Sequence, residues 1–399
     1  MPKIKIGFWF QPKNTLKILT VAVLWVLTGC FEKEVDLTGG GNVKLNEVSF
    51  SELKDWNKEN FAQVIPVFAK NCKKILQNKG MYIYPAQIKI NTADYKDLCE
   101  RFFAQNVKDG MQMKAFIESE FKAYKVSDNG KDDGKFTSYY EATINASKTK
   151  HDKYKYPIYG KPRDLVEINL RDFDETLPNN RLVGRIDGNK FIPYYSRRDI
   201  ENKGVSAPVL LWGDDLIDIH FMQIQGSAVA KLDDGSEVRI GYADSNGRKF
   251  KGIGSILIEK GYIKREDSSM PKIREWLRNN PQSAKDLMAE NERFIFQRIT
   301  DTDGPVGALG ISLTAGRSLA VDNKYIPLGA MMWLDTYNPD GGAIRKIVFA
   351  QDIGSAIKGV VRGDYFWGHG EKALYHAGRM NSVGKYYILA PKNTVIKVD

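Results

Sequence analysis

The sequence QDIGSAIKGVVRGDYFWGHG, residues 351–370, combines two aspartates with small residues and an aromatic run. Asp352 follows the apolar run 347–350 and is predicted to lie where a strand ends. Asp364 precedes Tyr365-Phe366-Trp367, and a carboxyl beside large rings loses hydration, which raises its pKa and lets it donate a proton at neutral pH. Two such carboxyls beside a sugar-sized aromatic surface suggest glycosidic-bond chemistry; the alternative is that each aspartate is a turn residue.

Outward from this stretch, the chain alternates between β-prone and helical segments. Short β-prone runs fill residues 136–245, among them DLIDIHFMQI (215–224), and return over 294–399, among them GISLTA (310–315). Residues 253–293 have helical texture. This order suggests one β domain interrupted by another.

A helical lead-in precedes the first β-prone runs. Apolar residues recur at helical spacing from Leu53 to Leu76, where Pro66 is expected to break or restart the helix, and again from Tyr95 through Phe121 to Tyr124.

The N-terminus has the organisation of a secretory signal. Residues 1–17 carry four lysines and no acid, residues 18–27 are uninterruptedly apolar, and Leu27-Thr28-Gly29-Cys30 resembles a bacterial lipobox. We therefore expect a signal peptide at 1–29, lipidation of Cys30 and a Gly-rich tether at 30–45. The alternative is a buried N-terminal strand or helix.

The charge balance argues against a nucleic-acid partner. Removal of residues 1–29 would lower the formal net charge from +10 to +6, because the segment holds four lysines and no acid. No dense basic run with interleaved aromatics is present, so an anionic envelope surface is the expected partner instead.

In an exported protein Cys72 and Cys99 could form a disulfide or remain two buried thiols.

No metal or cofactor is expected. The four histidines, His151, His220, His369 and His376, lack the spacing of a zinc helix and are interpreted as surface or core residues. Phosphate-loop, dinucleotide and nucleophile-elbow motifs are absent from the sequence.

Longer blocks give the sequence a specific resemblance. SLAVDNKYIPLGAMMWLD (318–335) and FAQDIGSAIKGVVRGDYFWGHG (349–370) resemble the three-aspartate domain of bacterial cell-wall enzymes. Upstream, FTSYYEA (136–142), YPIYGKPRDL (156–165), IPYYSRRDI (192–200) and residues 222–261 are similar to the membrane-bound lytic transglycosylase A family. Ser138 replaces a glycine that the family often has, and Ile353-Gly354-Ser355 departs from its usual Gly-Gly.

The resemblance implies a mainly β fold with a helical N-terminal segment, in which a second β-barrel domain is inserted into a double-psi β-barrel. The expected boundaries are 46–141 with 293–399 for the lead-in and double-psi domain, and 142–292 for the insert. The implied reaction cleaves the β-1,4 bond between N-acetylmuramic acid and N-acetylglucosamine without water, leaving a 1,6-anhydromuramoyl end.

The resemblance also implies roles for individual residues. Asp364 would act first as acid and then as base, Asp352 would assist, and Asp322 would be structural or stand behind the site. The expected substrate contacts are Thr137, Tyr139, Tyr140, Gln223, Gln225, Gly226, Ser227 and Lys358. The tyrosines could instead pack in a β core, and Trp367 could line the groove or fill the core.

The expected partners are peptidoglycan glycan strands, a membrane reached through the lipid on Cys30, and other cell-wall enzymes, in a bacterial envelope and at the periplasmic face of the outer membrane. Two other functions stay open. One is a hydrolytic glycosidase that uses Asp352 and Asp364 as an acid/base pair. The other is a non-catalytic peptidoglycan-binding lipoprotein.

Overall fold

The computed structural model describes residues 41–84 and 86–398. The predicted signal peptide, Cys30 and residues 30–40 of the tether lie outside this part of the chain. Strand β1 begins at Val43, within the stretch predicted as tether. None of the helices in the described residues is long and apolar enough to cross a bilayer.

The described residues form eighteen strands and nine α-helices. The strands are Val43–Val48 (β1), Ile88–Lys89 (β2), Phe121–Asp128 (β3), Gly134–Ser147 (β4), Tyr156–Tyr159 (β5), Val166–Asn169 (β6), Arg181–Asp187 (β7), Lys190–Pro193 (β8), Val209–Gly213 (β9), Ser227–Leu232 (β10), Glu237–Ser245 (β11), Ile295–Thr300 (β12), Ser318–Val321 (β13), Met331–Tyr337 (β14), Ala343–Ile353 (β15), Arg362–His369 (β16), Asn381–Pro391 (β17) and Lys397–Val398 (β18). The helices are Val64–Leu76 (α1), Thr92–Gln105 (α2), Gly110–Glu120 (α3), Arg197–Lys203 (α4), Leu216–Gln225 (α5), Ile253–Glu259 (α6), Met270–Asn279 (α7), Pro281–Ala289 (α8) and Glu371–Ala377 (α9).

The lead-in is helical, as predicted, but it ends earlier than the apolar spacing suggested. Pro66 lies in the first turn of α1, where its missing N–H costs no helical hydrogen bond, so it starts the helix and does not break it. The prediction that Phe121 and Tyr124 continue the helical segment is wrong, because both lie in β3. Strand β3 pairs with β1 and β17, and that pairing overrides the local spacing.

Two runs predicted as strands are not strands. DLIDIHFMQI forms α5: the Asp215 carboxylate accepts hydrogen bonds from the amides of Ile217 and Asp218, and Gly226 ends the helix in the left-handed region at φ 87°. The run had no clear period, so its two caps were the better signal. GISLTA is a loop whose only β pairing in the described residues is the bridge between Ser312 and Val306.

Six strands close into a first barrel. Strand β17 pairs with β14, β14 with β15, β15 with β13, β13 with β16, and β16 with β4, while β4 pairs back with β17. The β13–β15 and β16–β4 pairings are parallel and the other four are antiparallel. Large apolar side chains pack on both faces of these strands: Phe136 and Tyr386 meet edge to face, and Trp333 and Phe349 contact Trp56 and Phe68 of the lead-in.

A second ring uses the other half of β4. Residues 142–147 pair with β10 on one side and with β9 on the other, and the ring continues through β11, β12 and β5. A bridge between Gly160 and Gln297 closes it. The 14-residue strand β4 therefore belongs to both barrels, with its first half in one and its second half in the other. The small sheet β6–β7–β8 lies outside both rings.

The lead-in shares its core with the first barrel. Phe68, Cys72 and Tyr95 are fully buried in the same apolar cluster as the barrel strands, and Cys72 forms a disulfide with Cys99 across α1 and α2. A buried ion pair adds to this contact: the guanidinium of Arg317 donates to both carboxylate oxygens of Glu59, at 2.8 and 2.9 Å.

Substitution Glu59→Ala should destabilise the protein strongly, because it leaves the Arg317 charge without a counter-charge where only 4% of that side chain is exposed. We expect a loss of about 3–5 kcal/mol in the free energy of unfolding, measured by urea denaturation. The matched control is Lys148→Ala, which breaks a solvent-exposed pair with Asp234 and should cost about 1 kcal/mol or less. Equal losses in the two variants would show that the Glu59–Arg317 pair does not anchor the lead-in.

Candidate active site

A groove of about 860 Å³ is lined by residues of both barrels. The first barrel contributes the ends of β4, β13, β15 and β16, and the second contributes the end of α5 and parts of β11 and β12. The predicted site residues that line this groove are Thr137, Tyr139, Gln223, Gln225, Gly226, Ser227, Asp352, Lys358 and Asp364.

The two aspartates lie in one row across the first barrel. Ala320 of β13 is the register partner of Asp352 on β15 and of Asp364 on β16, and Asp364 is in turn paired with Thr137 of β4. Adjacent strands are about 4.8 Å apart, so the two aspartate Cα atoms are separated by roughly 9–10 Å. The small side chain of Ala320 leaves the floor between the carboxyls open.

Only one carboxyl oxygen of Asp364 accepts a hydrogen bond from the protein. The Thr137 hydroxyl donates to Oδ1, and Oδ2 accepts no hydrogen bond from any residue in the described part of the chain. Burial raises the pKa of the Asp364 carboxyl, and the Arg362 charge and the Thr137 hydrogen bond lower it by less. The net effect is a pKa above the ordinary value of an aspartate, in a carboxyl whose Oδ2 faces the groove.

Arg362 acts on Asp364 through its charge and also through Thr137. Its Nη2 donates to Thr137 Oγ1 at 2.7 Å, so the hydroxyl accepts from the guanidinium and donates to the carboxyl. Burial lowers the pKa of Arg362, against the opposite pull of Asp364. The chain of three groups fixes the rotamer of Asp364.

Asp352 is held by different partners. The Tyr139 hydroxyl donates to Oδ2 at 2.9 Å, and the backbone amide of Ala308 donates to Oδ1 at 2.9 Å. Burial raises the pKa of Asp352 to about 6, the hydrogen bonds of Ala308 and Tyr139 oppose this rise, and the Asp364 charge adds to it. With both oxygens bound to donors, Asp352 is better suited to holding a negative charge than to moving a proton.

The loop 354–359 borders the groove between the two aspartates. Asp322, buried at the end of β13, accepts from the amide of Gly359 at 2.9 Å and lies 3.8 Å from Lys358 Nζ. Asp322 itself does not line the groove. Its contacts are those of a residue that anchors the loop behind the site.

The second barrel contributes polar groups through the turn after α5. Because Gly226 takes the left-handed conformation, Gln225 and Ser227 on either side of it both reach the groove. Gln223 is buried, and its Oε1 has no hydrogen-bond partner in the described residues. A buried amide oxygen without a partner can accept a hydrogen bond from a ligand.

Two predicted positions lie away from the groove surface. The Tyr140 side chain is buried in the apolar cluster of the second barrel, and its amide donates to Gln225 Oε1 at 3.2 Å. Its contribution is to hold Gln225, while the ring packs. Trp367 also packs, stacked on the His376 ring at a centroid distance of 4.4 Å. Tyr140 and Trp367 therefore pack in the core, which was one of the two possibilities that the sequence allowed.

Some residues of the groove were not identified from the sequence. Arg362 lies two residues before Asp364 on β16, so both side chains are on the same face of the strand, and this spacing was the signal in the sequence. Ala308 contributes only its backbone amide, so no residue type could mark it. Tyr242 and Arg298 of the second barrel also line the groove. In the described part of the chain, no three His, Cys, Asp or Glu side chains are arranged to hold a metal ion.

Substitution Asp352→Asn should change how stability depends on pH. Because the pKa of Asp352 is about 6 in the folded protein against 3.8 unfolded, the folded wild type binds more protons between these values and loses stability as pH rises through them. The variant lacks this loss. Its free energy of unfolding relative to wild type should therefore increase from pH 4 to pH 7, by at most about 3 kcal/mol.

The control for this measurement is Asp234→Asn. Hydrogen bonds from Ser236 and Lys148 lower the pKa of Asp234 to about 2, so this carboxyl titrates mostly below pH 4, and the stability of Asp234→Asn relative to wild type should be nearly the same at pH 4 and pH 7. Urea titrations at both pH values compare the variants. A difference between Asp352→Asn and wild type that does not change with pH would contradict the raised pKa.

Two protein families match the chain in sequence. Residues 135–298 match the MltA specific insert domain, and residues 317–390 match the 3D domain. Membrane-bound lytic murein transglycosylase A of Escherichia coli is 30% identical over 263 residues, which cover 64% of this chain and 65% of that protein. The aligned region thus spans just under two thirds of the length of this relative.

Solved structures extend the similarity to most of the chain. The crystal structure of MltA from Neisseria gonorrhoeae, monoclinic form, is 32% identical with a TM-score of 0.78, covering 90% of this chain and 96% of that one. The crystal structure of E. coli MltA with bound chitohexaose is 25% identical with a TM-score of 0.60, covering 82% and 89%.

These similarities confirm the predicted fold class, a mainly β chain with a helical N-terminal segment and a second β-barrel inserted into a double-psi β-barrel. They agree with the two rings of strands and with the groove that both rings line. The chain belongs to the membrane-bound lytic murein transglycosylase A family.

Proposed function

We propose that this protein is a lytic transglycosylase that cleaves the β-1,4 bond between N-acetylmuramic acid and N-acetylglucosamine in peptidoglycan and leaves a 1,6-anhydromuramoyl end. The observation that carries the proposal is the state of Asp364: its pKa is raised by burial, Oδ1 is held by Thr137, and Oδ2 faces the groove without a partner. One proton carrier so placed meets the main chemical requirement of the reaction.

In the first step, protonated Asp364 donates its proton to the glycosidic oxygen as the bond to C1 of the muramoyl residue breaks. The C6 hydroxyl of the same sugar attacks C1, and the Asp364 carboxylate takes the proton that this hydroxyl releases. The carboxyl is thereby restored and no water is consumed. The nucleophile is already part of the substrate, so proximity replaces the second catalytic carboxyl of an ordinary glycosidase.

Asp352 would support this step by charge. Tyr139 and Ala308 favour its ionised form, and a carboxylate at this position would stabilise positive charge near C1 as the bond breaks. The same two donors would keep it from attacking the sugar. Its role in the proposal is therefore that of an assistant to Asp364.

The groove offers neutral polar contacts for sugar hydroxyl and acetamido groups. Gln223, Gln225 and Ser227 would supply them from the second barrel, with Gly226 allowing close approach and Lys358 bordering the site from loop 354–359. Chitohexaose, bound by the E. coli relative, is a chain of N-acetylated sugars of the same kind. This agrees with a glycan strand as the substrate.

The placement of the protein in the cell is part of the same proposal. The names of relatives describe them as membrane-bound. The proposed lipid on Cys30 would hold this chain at the periplasmic face of the outer membrane. Other cell-wall enzymes are the proposed protein partners. The boundaries 46–141 with 293–399, and 142–292, remain the proposed division between the double-psi domain and the insert.

A hydrolytic glycosidase would need Asp352 to activate water. The two donors on its oxygens, Tyr139 and Ala308, argue against that role, because they occupy both carboxyl oxygens and leave neither free to take a proton from water. A non-catalytic glycan-binding protein would have no use for a raised pKa at Asp364, although it would use the same groove.

Substitution Asp364→Asn should abolish release of soluble muropeptides from purified sacculi, because the amide cannot exchange the proton. Binding to sacculi, measured by co-sedimentation, should stay within about threefold of wild type since the shape of the groove is kept. Asp234→Asn, on a surface turn, is the control and should cleave like wild type. Turnover by Asp364→Asn at the wild-type rate would refute the assignment.

Substitution Arg362→Met should shift the pH profile of kcat/KM. The Arg362 charge lowers the pKa of Asp364, so without it the pKa rises and Asp364 stays protonated to higher pH. We expect the alkaline limb, where the acid is lost, to move to higher pH. Arg362→Lys keeps the positive charge, so this variant should shift the alkaline limb less. An unchanged or lowered alkaline limb in Arg362→Met would contradict the assignment of that limb to Asp364.

A further inference from the structure

Gln351, the neighbour of Asp352 on β15, points to the opposite side of the strand from the catalytic groove. The pairing with β13 shifts here from Leu319–Ala350 to Ala320–Asp352, so the contacts of Gln351 show its direction: its side chain is 0% exposed and bonds to buried partners, while Asp352 lines the groove. The Ser318 hydroxyl donates to Gln351 Oε1 at 2.6 Å. The Gln351 amide therefore lies in the barrel wall directly behind the site.

The second partner of Gln351 comes from the lead-in. Gln351 Nε2 donates to Asn71 Oδ1 at 3.4 Å, and Asn71 Nδ2 donates to the carbonyl of Gly329 at 2.8 Å. Asn71 lies in the middle of α1 and is 0% exposed. A buried side-chain amide with both ends bound holds its neighbours in one arrangement, since loss of a partner leaves a buried polar group unpaired.

The same face of α1 supports the loop that supplies Ala308. Lys70 Nζ donates to the carbonyl of Ser312 at 3.4 Å and lies 3.7 Å from the carboxylate of Asp303. One turn further along α1, the Lys74 ammonium lies against Gly310. Lys70, Asn71 and Lys74 thus contact both the loop 303–313 and the strand that carries Asp352.

The loop and the strand are also joined directly. The amide of Leu309 donates to the carbonyl of Gln351 at 3.0 Å, beside the bond from Ala308 to Asp352. Gly307 packs so closely that a Cβ there would be 2.5 Å from the same carbonyl oxygen. Displacement of Gln351 would therefore displace the amide that binds Asp352.

We propose that Asn71 is a positioning residue for catalysis: through Gln351 it fixes Asp352 and the Ala308 amide from the face of the barrel wall opposite the groove. The inference rests on the proposed function, because it assigns a catalytic consequence to this contact. It gives the helical lead-in a part in the reaction in addition to its packing. Misplacement of a reacting group by about 1 Å can cost roughly a hundredfold in rate.

The test compares Asn71→Ala with Val67→Ala. Val67 is buried one turn earlier on α1 and has no part in the Asn71–Gln351 contact, so it controls for loss of stability in the helix. For Asn71→Ala we expect kcat on sacculi to fall roughly 10- to 100-fold with KM within about twofold. Val67→Ala, assayed where both variants are fully folded by circular dichroism, should keep kcat within about twofold.

Two further readouts separate positioning from a general loss of stability. The Ala308 hydrogen bond opposes the rise in the pKa of Asp352 more than those of the Ile353 amide and Tyr139, so its loss should move the acidic limb of the rate profile to higher pH in Asn71→Ala. In the double variant Asn71→Ala with Gln351→Ala, kcat should be no lower than in the worse single variant, because both act through one contact. If Gln351→Ala does not fold, Ser318→Ala takes its place.

A structural measurement is independent of activity. In the crystal structure of Asn71→Ala, the distance from the Ala308 nitrogen to Asp352 Oδ1 should exceed hydrogen-bond range. The positioning role is overturned if this distance stays at 2.9 Å, or if Asn71→Ala and Val67→Ala lose the same kcat with unchanged pH profiles. Wild-type protein that yields no anhydro ends would instead refute the proposed function, and the crystallographic result would still decide the contact.

Discussion

Strand β4 is the element on which the site depends. Its first half closes one barrel and its second half belongs to the other, so a single rigid strand passes from one wall of the groove to the other. Along it, Thr137 binds Asp364, Tyr139 binds Asp352, and the amide of Tyr140 binds Gln225. Three contacts along one strand therefore position both carboxyls and the groove-lining amide of Gln225 from the second barrel.

The asymmetry of the two aspartates follows from these contacts. Burial raises the pKa of both carboxyls. Both oxygens of Asp352 accept hydrogen bonds, whereas only one oxygen of Asp364 does. A carboxyl with one open oxygen can pass a proton to a substrate and take one back, whereas a carboxyl with both oxygens bound is better suited to hold charge. Burial alone would not distinguish them.

The sequence predicted well what is local and contiguous. Asp352 and Asp364 lie in one twenty-residue stretch, and the longer sequence blocks around them led to the correct fold class. Prediction from the sequence failed where the structure depends on pairing between distant segments or on backbone atoms. Phe121 is drawn into a strand by β1 and β17, Ala308 acts through its amide, and Asn71 meets Gln351 across 280 residues. The helix α5 was missed although its caps, Asp215 and Gly226, are local.

The central claim is that the sugar's own hydroxyl replaces water, so that one proton carrier suffices. Digestion of purified sacculi in heavy-oxygen water, followed by mass spectrometry of the new muramoyl ends, tests it most directly. The account predicts 1,6-anhydro ends that are one water lighter than reducing ends and contain no heavy oxygen. Reducing ends that carry the heavy isotope would contradict it and would assign Asp352 and Asp364 to hydrolysis.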